Sequence, residues 1–96
     1  MNLDFFKQTR ILDGGMGQEL LARGMKPNGT LWSANALLKD EYHQLLLDTH
    51  LDFIKSGAEI IVTTTFTTRR LRLRDNRIED KFEYLNTKAG EIAKKA

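Results

Sequence analysis

An acidic residue followed by two glycines, at residues 13–15, carries the clearest chemistry in this sequence. Asp13 supplies an anion, and Gly14 and Gly15 leave their backbone N–H groups unobstructed by side chains. Such amides near a helix N-terminus can hold a carboxylate or a phosphate, and an Asp carboxylate can hold an ammonium group. The Asp-Gly-Gly segment (residues 13–15) therefore predicts a site for a small anionic or zwitterionic ligand. The alternative is that Asp13 caps the following helix and the glycines only permit the turn.

A tryptophan and a run of threonines are further candidates for the mouth of this site. Thr63, Thr64 and Thr65 end an apolar, β-branched run. Trp32 follows a stretch rich in turn residues. In parallel α/β folds, residues at strand ends line the mouth where small molecules bind. The alternative for the threonines is packing inside the sheet, and the alternative for Trp32 is anchoring of its loop.

The two histidines do not form a metal site with each other. His43 and His50 are seven residues apart on a predicted helix, which separates them by about 10 Å along the axis. A single zinc ion needs ligands about 2 Å away, so we expect His50 to pack or hydrogen-bond within the helix layer. The chain contains no cysteine, which excludes disulfides and thiolate ligands from it. No catalytic residue and no metal ligand is predicted within the chain.

A dense basic patch precedes the last predicted helix. Its members are Arg69, Arg70, Arg72, Arg74 and Arg77. A phosphate-bearing donor or a nucleic acid could use such a cluster. No aromatic residue is interleaved with these arginines, and acidic residues follow at once. A solvated loop and first helical turn is therefore the favoured interpretation.

Composition excludes several classes of protein. The net charge is only +2, which does not demand nucleic acid or an anionic membrane as a partner. Hydrophobic residues make up 41% of the 96 residues, typical of a folded chain. No apolar run approaches the roughly 20 residues of a membrane-spanning helix, and no signal peptide is predicted. We expect a cytoplasmic location.

The pattern of apolar residues predicts two strand-then-helix units. A brief first strand ends at Leu12, and a short helix over residues 15–23 is stopped by Gly24. A loop over residues 25–33 follows. Asp40 is the predicted N-cap of a longer helix, which ends before Gly57. The buried stripe of this helix comprises Tyr42, Leu45, Leu46, Thr49, Phe53 and Ile54.

The second unit begins with a parallel strand over residues 60–66, which we expect to be covered on both faces. Asn76 and Glu79 resemble a capping box that opens the last helix. Its apolar stripe comprises Ile78, Phe82, Leu85, Ala89, Ile92 and Ala93. Two parallel strands alone leave an unpaired edge and an apolar face. We expect the rest of a longer chain to complete the sheet, with copies of this chain in a homo-oligomer as the alternative.

Four separated stretches of the sequence resemble the opening of the homocysteine S-methyltransferase family. They are Ile-Leu-Asp-Gly-Gly-Met-Gly at residues 11–17, Leu-Trp-Ser-Ala at 31–34, the stretch over 50–61 that starts at His50, and Thr-Thr-Thr-Phe at 63–66. They occur in order and span most of residues 11–68. Their agreement is fairly specific, whereas a Gly-rich turn alone would indicate little.

The resemblance implies an α/β fold in which residues 1–96 form the N-terminal part, two βα units, of a single homocysteine-binding (βα)8 TIM barrel domain. It implies methyl transfer from a donor to the thiol of homocysteine, forming methionine, with zinc held by cysteines outside this chain. It assigns amino-acid binding to Asp13, Gly14 and Gly15. We expect the chain alone to be inactive. The family often has asparagine where Thr64 stands, so the resemblance does not assign to Thr64 any polar contact that the side-chain amide of this asparagine makes.

Two alternatives remain open from the sequence. One is a different (βα)8 enzyme that uses the Asp-Gly-Gly segment for a small carboxylate or phosphate ligand. The other is a noncatalytic fragment that self-associates. Neither the methyl donor nor the oligomeric state follows from the sequence.

Overall fold

The computed structural model of the protein describes residues 3–96, and regular structure in that part is mostly helical. The α-helices there are α1 (Met16–Ala22), α2 (Asn35–Leu38), α3 (His43–Lys55), α4 (Arg70–Asp75) and α5 (Phe82–Lys95). Short 3-10 turns span Leu3–Lys7, Trp32–Ala34, Asp40–Tyr42 and Glu79–Lys81. None of the helices within residues 3–96 has the length and apolarity needed to cross a membrane.

Helices α1 and α3 end where the sequence predicts. Gly24 follows α1 with φ +106°, and Gly57 follows α3 with φ +118°. These left-handed conformations strain any residue with a Cβ, so glycine is the residue that stops each helix there. The prediction of a helix over residues 15–23 is confirmed within one residue at each end, because Gly15 and Arg23 are the caps of α1.

The predicted caps of the two longer helices are wrong. Helix α3 begins at His43, because Asp40 starts a separate 3-10 turn and makes no capping hydrogen bond. Asn76 does not open α5, which begins at Phe82. Instead, the Asn76 side chain donates to Thr30 Oγ1 and to the Arg72 carbonyl, each at 2.9 Å, and so closes the end of α4.

The two predicted strands are reduced to one parallel bridge between Leu12 and Ile60. The Ile60 N–H donates to the Ile11 carbonyl at 3.2 Å, and the Asp13 N–H donates to the Ile60 carbonyl at 3.1 Å. The parallel direction agrees with the predicted βαβ arrangement. A longer parallel strand would continue with a hydrogen bond from the Val62 N–H to a backbone carbonyl. The Val62 N–H donates to the Asp13 side chain instead, and residues 61–66 form no strand.

The apolar run after the bridge is not covered on both faces, contrary to the prediction. Val62 is 56% exposed and Phe66 is 76% exposed. Ile11 and Leu12 are each 57% exposed on the neighbouring segment. Within residues 3–96 nothing packs over this side of the bridge, so the described chain shows neither a sheet nor a barrel.

The core lies between the helices. Helix α3 packs against α1 and α5, and α2 contacts both α3 and α5. The fully buried leucines from these helices are Leu20, Leu37, Leu46 and Leu85. The predicted stripes of α3 and α5 therefore face the core, as expected of amphipathic helices. Ile54 departs from its stripe, because it lies near the end of α3 and is 39% exposed.

Helices α2 and α4 are not predicted by the sequence pattern. Helix α2 is too short to show a helical period, and three of its four residues are buried. Helix α4 contains much of the arginine cluster, yet Leu73 points into the core. Most of the arginines are exposed, as the interpretation of a solvated surface predicts.

Candidate functional site

A cleft of about 490 Å³ brings most of the predicted site residues together. Asp13, Gly14 and Gly15 form one side of it, and Trp32 and Thr64 belong to the same lining. Thr65 lies beside the cleft without lining it. Sequence reasoning missed several neighbours of these residues: Met16, Gly17, Gln18, Ser33, Val62 and Phe66. The sequence could have indicated these residues only by their position, since each one adjoins a predicted site residue or lies two or three positions from one.

Asp13 links the two segments of the parallel bridge at the edge of the cleft. Its backbone N–H donates to the Ile60 carbonyl at 3.1 Å. Its Oδ2 atom accepts a hydrogen bond from the Val62 N–H at 3.1 Å. Within residues 3–96, the other carboxylate oxygen, Oδ1, has no hydrogen-bond partner. One oxygen therefore orients the carboxylate, and the other is available to a ligand.

The alternative role of Asp13 as a helix cap is wrong. The N-cap of α1 is Gly15, and no side chain caps that helix end. The Asp13 side chain accepts a hydrogen bond from the Val62 N–H across the bridge instead. The extended backbone at Gly15, with φ −70° and ψ 99°, separates Asp13 from the start of α1.

Gly14 and Gly15 expose their backbone to the cleft in different surroundings. A Cβ on Gly14 would lie 3.1 Å from Cε1 of Phe53, a side chain of α3. A Cβ on Gly15 would meet only Gln18 Oε1, at 4.0 Å. Neither amide N–H donates to another group in the part of the chain that the structure describes. Two amide donors without a partner in the described residues therefore directly follow Asp13 in the lining of the cleft.

Trp32 forms a wall of the cleft next to Gly17. Its side chain is 53% exposed, which favours a place at the mouth over an anchor buried beneath its loop. A Cβ on Gly17 would lie 3.4 Å from Cε3 of the indole, so the ring passes directly over this glycine. The backbone of Trp32 has φ +52°, an uncommon value for a residue with a side chain.

The threonines divide between the cleft and its surroundings. Thr64 is buried and lines the cleft, and its hydroxyl has no hydrogen-bond partner within residues 3–96. Thr63 also lines the cleft, and its hydroxyl lies 3.2 Å from that of Thr65. Thr65 therefore contacts a lining residue rather than the cleft itself.

His50 is fully buried in α3, as the predicted packing role requires. Neither ring nitrogen finds a hydrogen-bond partner within the described residues, so the expected hydrogen bond is not made. Burial lowers the pKa of His50 below its usual 6.5, and the negative charge of Asp13 opposes this to a smaller extent. The other histidine, His43, contacts the Leu37 carbonyl through Nε2 at 2.7 Å.

Residues 3–96 do not offer a zinc site. The chain contains no cysteine, and within residues 3–96 no three His, Asp or Glu side chains come together as metal ligands would. The residues present therefore do not fit the zinc ion that the resemblance implies, and any such ion requires ligands from elsewhere.

Comparison with known proteins identifies relatives of this chain. Homocysteine S-methyltransferase 2 of Zea mays is 36% identical over 87 residues, which are 90% of this chain and 25% of that protein. Homocysteine S-methyltransferase 2 of Saccharomyces cerevisiae is 32% identical over 73% of this chain and 24% of its own length. Selenocysteine methyltransferase of Astragalus bisulcatus is 38% identical over 66% of this chain and 19% of its own length. No solved structure matches the chain.

The chain thus spans about a quarter of the length of the first two of these relatives. The family model for homocysteine S-methyltransferase matches residues 10–96, which include the Asp-Gly-Gly segment and every residue that lines the cleft. This match covers nearly the whole chain, and it agrees with the four stretches of sequence that resemble the family. The chain belongs to the homocysteine S-methyltransferase family.

Proposed function

We propose that this chain supplies the amino-acid-binding part of a homocysteine S-methyltransferase. In this proposal the Asp13 carboxylate binds the ammonium group of homocysteine, and the Gly14 and Gly15 amides bind its carboxylate. The observation that carries the proposal is the pairing at one edge of the cleft of a free carboxylate oxygen with two amides that have no partner within residues 3–96. A zwitterion needs both signs of partner side by side.

We call the proposed site formed by Asp13, Gly14 and Gly15 the clamp. The names of the relatives support a clamp that recognises the ammonium and carboxylate end of the ligand. One group is named for homocysteine and another for selenocysteine. Both amino acids carry an ammonium group and a carboxylate on the same carbon, and they differ in the chain that bears sulfur or selenium. Asp13 and the two glycines would bind the shared end, so that Trp32 and Thr64 lie further along the ligand as mouth residues.

Methyl transfer itself belongs to the whole protein in this proposal. The thiolate of homocysteine attacks the methyl group of a donor, methionine forms, and the donor leaves without its methyl group. The clamp contributes by aligning the sulfur with that methyl group, which lowers the entropic part of the barrier. The (βα)8 barrel and the zinc ion with its cysteine ligands are proposed to involve residues outside this chain, and the cytoplasm stays the predicted location.

The substitution Asp13→Asn tests the clamp. Asparagine keeps a side-chain oxygen that can accept from the Val62 N–H, so the link across the bridge is retained while the charge is removed. A hydrogen bond to a charged group contributes about 1.5–3 kcal/mol, which corresponds to a loss of homocysteine affinity of about 10- to 100-fold. Isothermal titration calorimetry with homocysteine measures this loss.

Two controls separate this function from its alternatives. The ligand 4-mercaptobutyrate lacks the ammonium group, so its affinity should be weak and insensitive to Asp13→Asn. Asp13→Ala should weaken homocysteine binding as much as Asp13→Asn and also destabilise the fold by about 1 kcal/mol, because the Val62 N–H loses its acceptor. Homocysteine affinity unchanged in Asp13→Asn refutes the clamp. Tighter binding of phosphate than of homocysteine would favour the other class of (βα)8 enzyme.

A further inference from the structure

Thr67 lies outside the lining of the cleft, yet its hydroxyl braces the turn that carries Trp32. The Thr67 hydroxyl donates to the Leu31 carbonyl. It also accepts a hydrogen bond from the Ala34 N–H at 3.2 Å. The same Ala34 N–H donates to the Leu31 carbonyl at 3.0 Å. One hydroxyl, one carbonyl and one amide thus form a closed set of hydrogen bonds on the two sides of Trp32.

This brace coincides with strained backbone. Trp32 has φ +52°, in the left-handed region that residues with a Cβ rarely adopt. Such a conformation persists only where the surrounding structure over-determines it. Leu31 and Ala34 are both buried, and Thr67 is completely buried. The hydroxyl of Thr67 is a buried polar group that makes hydrogen bonds to both ends of this turn.

We propose that Thr67 is a positioning residue for the cleft, whose hydroxyl holds residues 31–34 so that the Trp32 indole lies over Gly17. Without the hydroxyl, the turn relaxes toward an ordinary backbone conformation and the indole leaves Gly17. The cleft then loses a wall. The position of the indole does not depend on any ligand, whereas a consequence for homocysteine binding rests on the proposed function.

The chain offers a matched control in the next residue. Thr68 is also buried, being 1% exposed. Its hydroxyl donates to Asn86 Oδ1 at 2.7 Å, and Asn86 Nδ2 donates to the Thr68 carbonyl at 3.2 Å. These bonds tie Thr68 to α5 and do not involve the turn at 31–34. The hydroxyl also donates to the Thr65 carbonyl at 3.1 Å. Loss of the Thr68 hydroxyl therefore removes the side-chain hydrogen bonds of a buried threonine without removing any bond to the turn at 31–34.

The test uses the intrinsic fluorescence of Trp32, which is the sole tryptophan of the chain. Acrylamide quenching measures how accessible the indole is. Thr67→Val, which keeps the size of the side chain and removes the hydroxyl, should raise the quenching constant by up to about twofold, since the indole is 53% exposed and can become fully exposed when the brace is lost. Thr67→Ser keeps the hydroxyl and should restore the natural value. Thr68→Val should leave it unchanged.

The outcomes decide the proposal. An unchanged quenching constant in folded Thr67→Val overturns it, and so does an equal rise in Thr68→Val. If Thr67→Val does not fold, the substitution is repeated together with Trp32→Gly, because glycine adopts a positive φ without strain. We expect the double variant to fold, as judged by circular dichroism. A double variant that stays unfolded shows that Thr67 acts through general packing and overturns the proposal.

A calorimetric titration with homocysteine then separates the two proposals. Thr67→Val should weaken homocysteine binding only if the proposed clamp is correct and the indole wall contributes to it. If the natural protein binds no homocysteine, the clamp fails while the quenching result still decides the role of Thr67.

Discussion

The two glycines of the Asp-Gly-Gly segment should respond in opposite directions to the same substitution. Neither Gly14 nor Gly15 has a positive φ, so alanine can adopt either backbone conformation. The difference lies in the space beside each residue. A methyl group on Gly14 would lie 3.1 Å from Phe53 Cε1, whereas a methyl group on Gly15 would touch only Gln18 Oε1, at 4.0 Å.

The expected magnitudes follow from these distances. Overpacking a site usually lowers the free energy of unfolding by about 1–3 kcal/mol. Replacing glycine by alanine raises it by about 0.4–1 kcal/mol, because alanine restricts the conformations of the unfolded chain. Phe53 is half-buried, so its ring can move by a few tenths of an ångström. We expect Gly14→Ala to lower the free energy of unfolding by about 1 kcal/mol. Gly15→Ala should raise it by about 0.5 kcal/mol.

Urea denaturation followed by circular dichroism measures both values. Phe53→Leu removes the ring atoms that crowd Gly14. In a double-mutant cycle, Gly14→Ala should therefore lower the free energy of unfolding less in the Phe53→Leu background than in the natural protein. Gly15→Ala with Phe53→Leu should be additive. Equal effects of the two alanine substitutions, or additivity at Gly14, would refute the assignment of Phe53 as the neighbour that requires glycine.

Two further predictions concern the helices. The lowered pKa of His50 means that the unfolded chain binds a proton more readily than the folded chain, so stability is complete above pH 6.5 and falls as the pH drops below it. His50→Gln should reduce this fall in urea denaturation between about pH 5 and pH 7, whereas His43→Gln should retain it; the same slope in all proteins would contradict the assignment. Gly90→Ala should stabilise α5 by about 0.8–1 kcal/mol, since a Cβ there meets no atom within 4 Å. Thermal denaturation should show a higher midpoint for Gly90→Ala and a lower midpoint for Gly57→Ala, because Gly57 has φ +118°. A lower midpoint for Gly90→Ala would contradict the open space beside Gly90 on which this prediction rests.

Much of the candidate site could be predicted from the sequence because the residue types of its three segments, 13–18, 32–33 and 62–66, indicate strand ends and turns where ligands bind. Residue type and the resemblance to a known family together singled out the Asp-Gly-Gly segment, which lines the cleft with Trp32 and Thr64. The use of each group was not predictable in the same way. Asp13 binds the Val62 amide 49 residues away rather than the helix beside it. Composition and local spacing carry no information about such a partner.

The role of Thr67 shows the same limit. The sequence places it beside the threonine run, where packing is the expected role for a buried residue. Its two hydrogen bonds reach residues 31 and 34, more than 30 positions earlier. The strain at Trp32 is likewise invisible in the sequence, since tryptophan has no preference for a left-handed backbone.

The sequence by itself determined the helical stops and the faces that α3 and α5 present to the core. Gly24 and Gly57 end their helices because only glycine adopts these backbone angles without strain, and an apolar stripe needs no distant partner to be recognised. Tertiary structure alone decided where hydrogen bonds between distant segments form. The apolar run at 60–66 has the composition of a strand, but a strand needs a neighbouring backbone to pair with. Within residues 3–96 only the segment 11–13 provides one, and it pairs with Ile60 alone of that run.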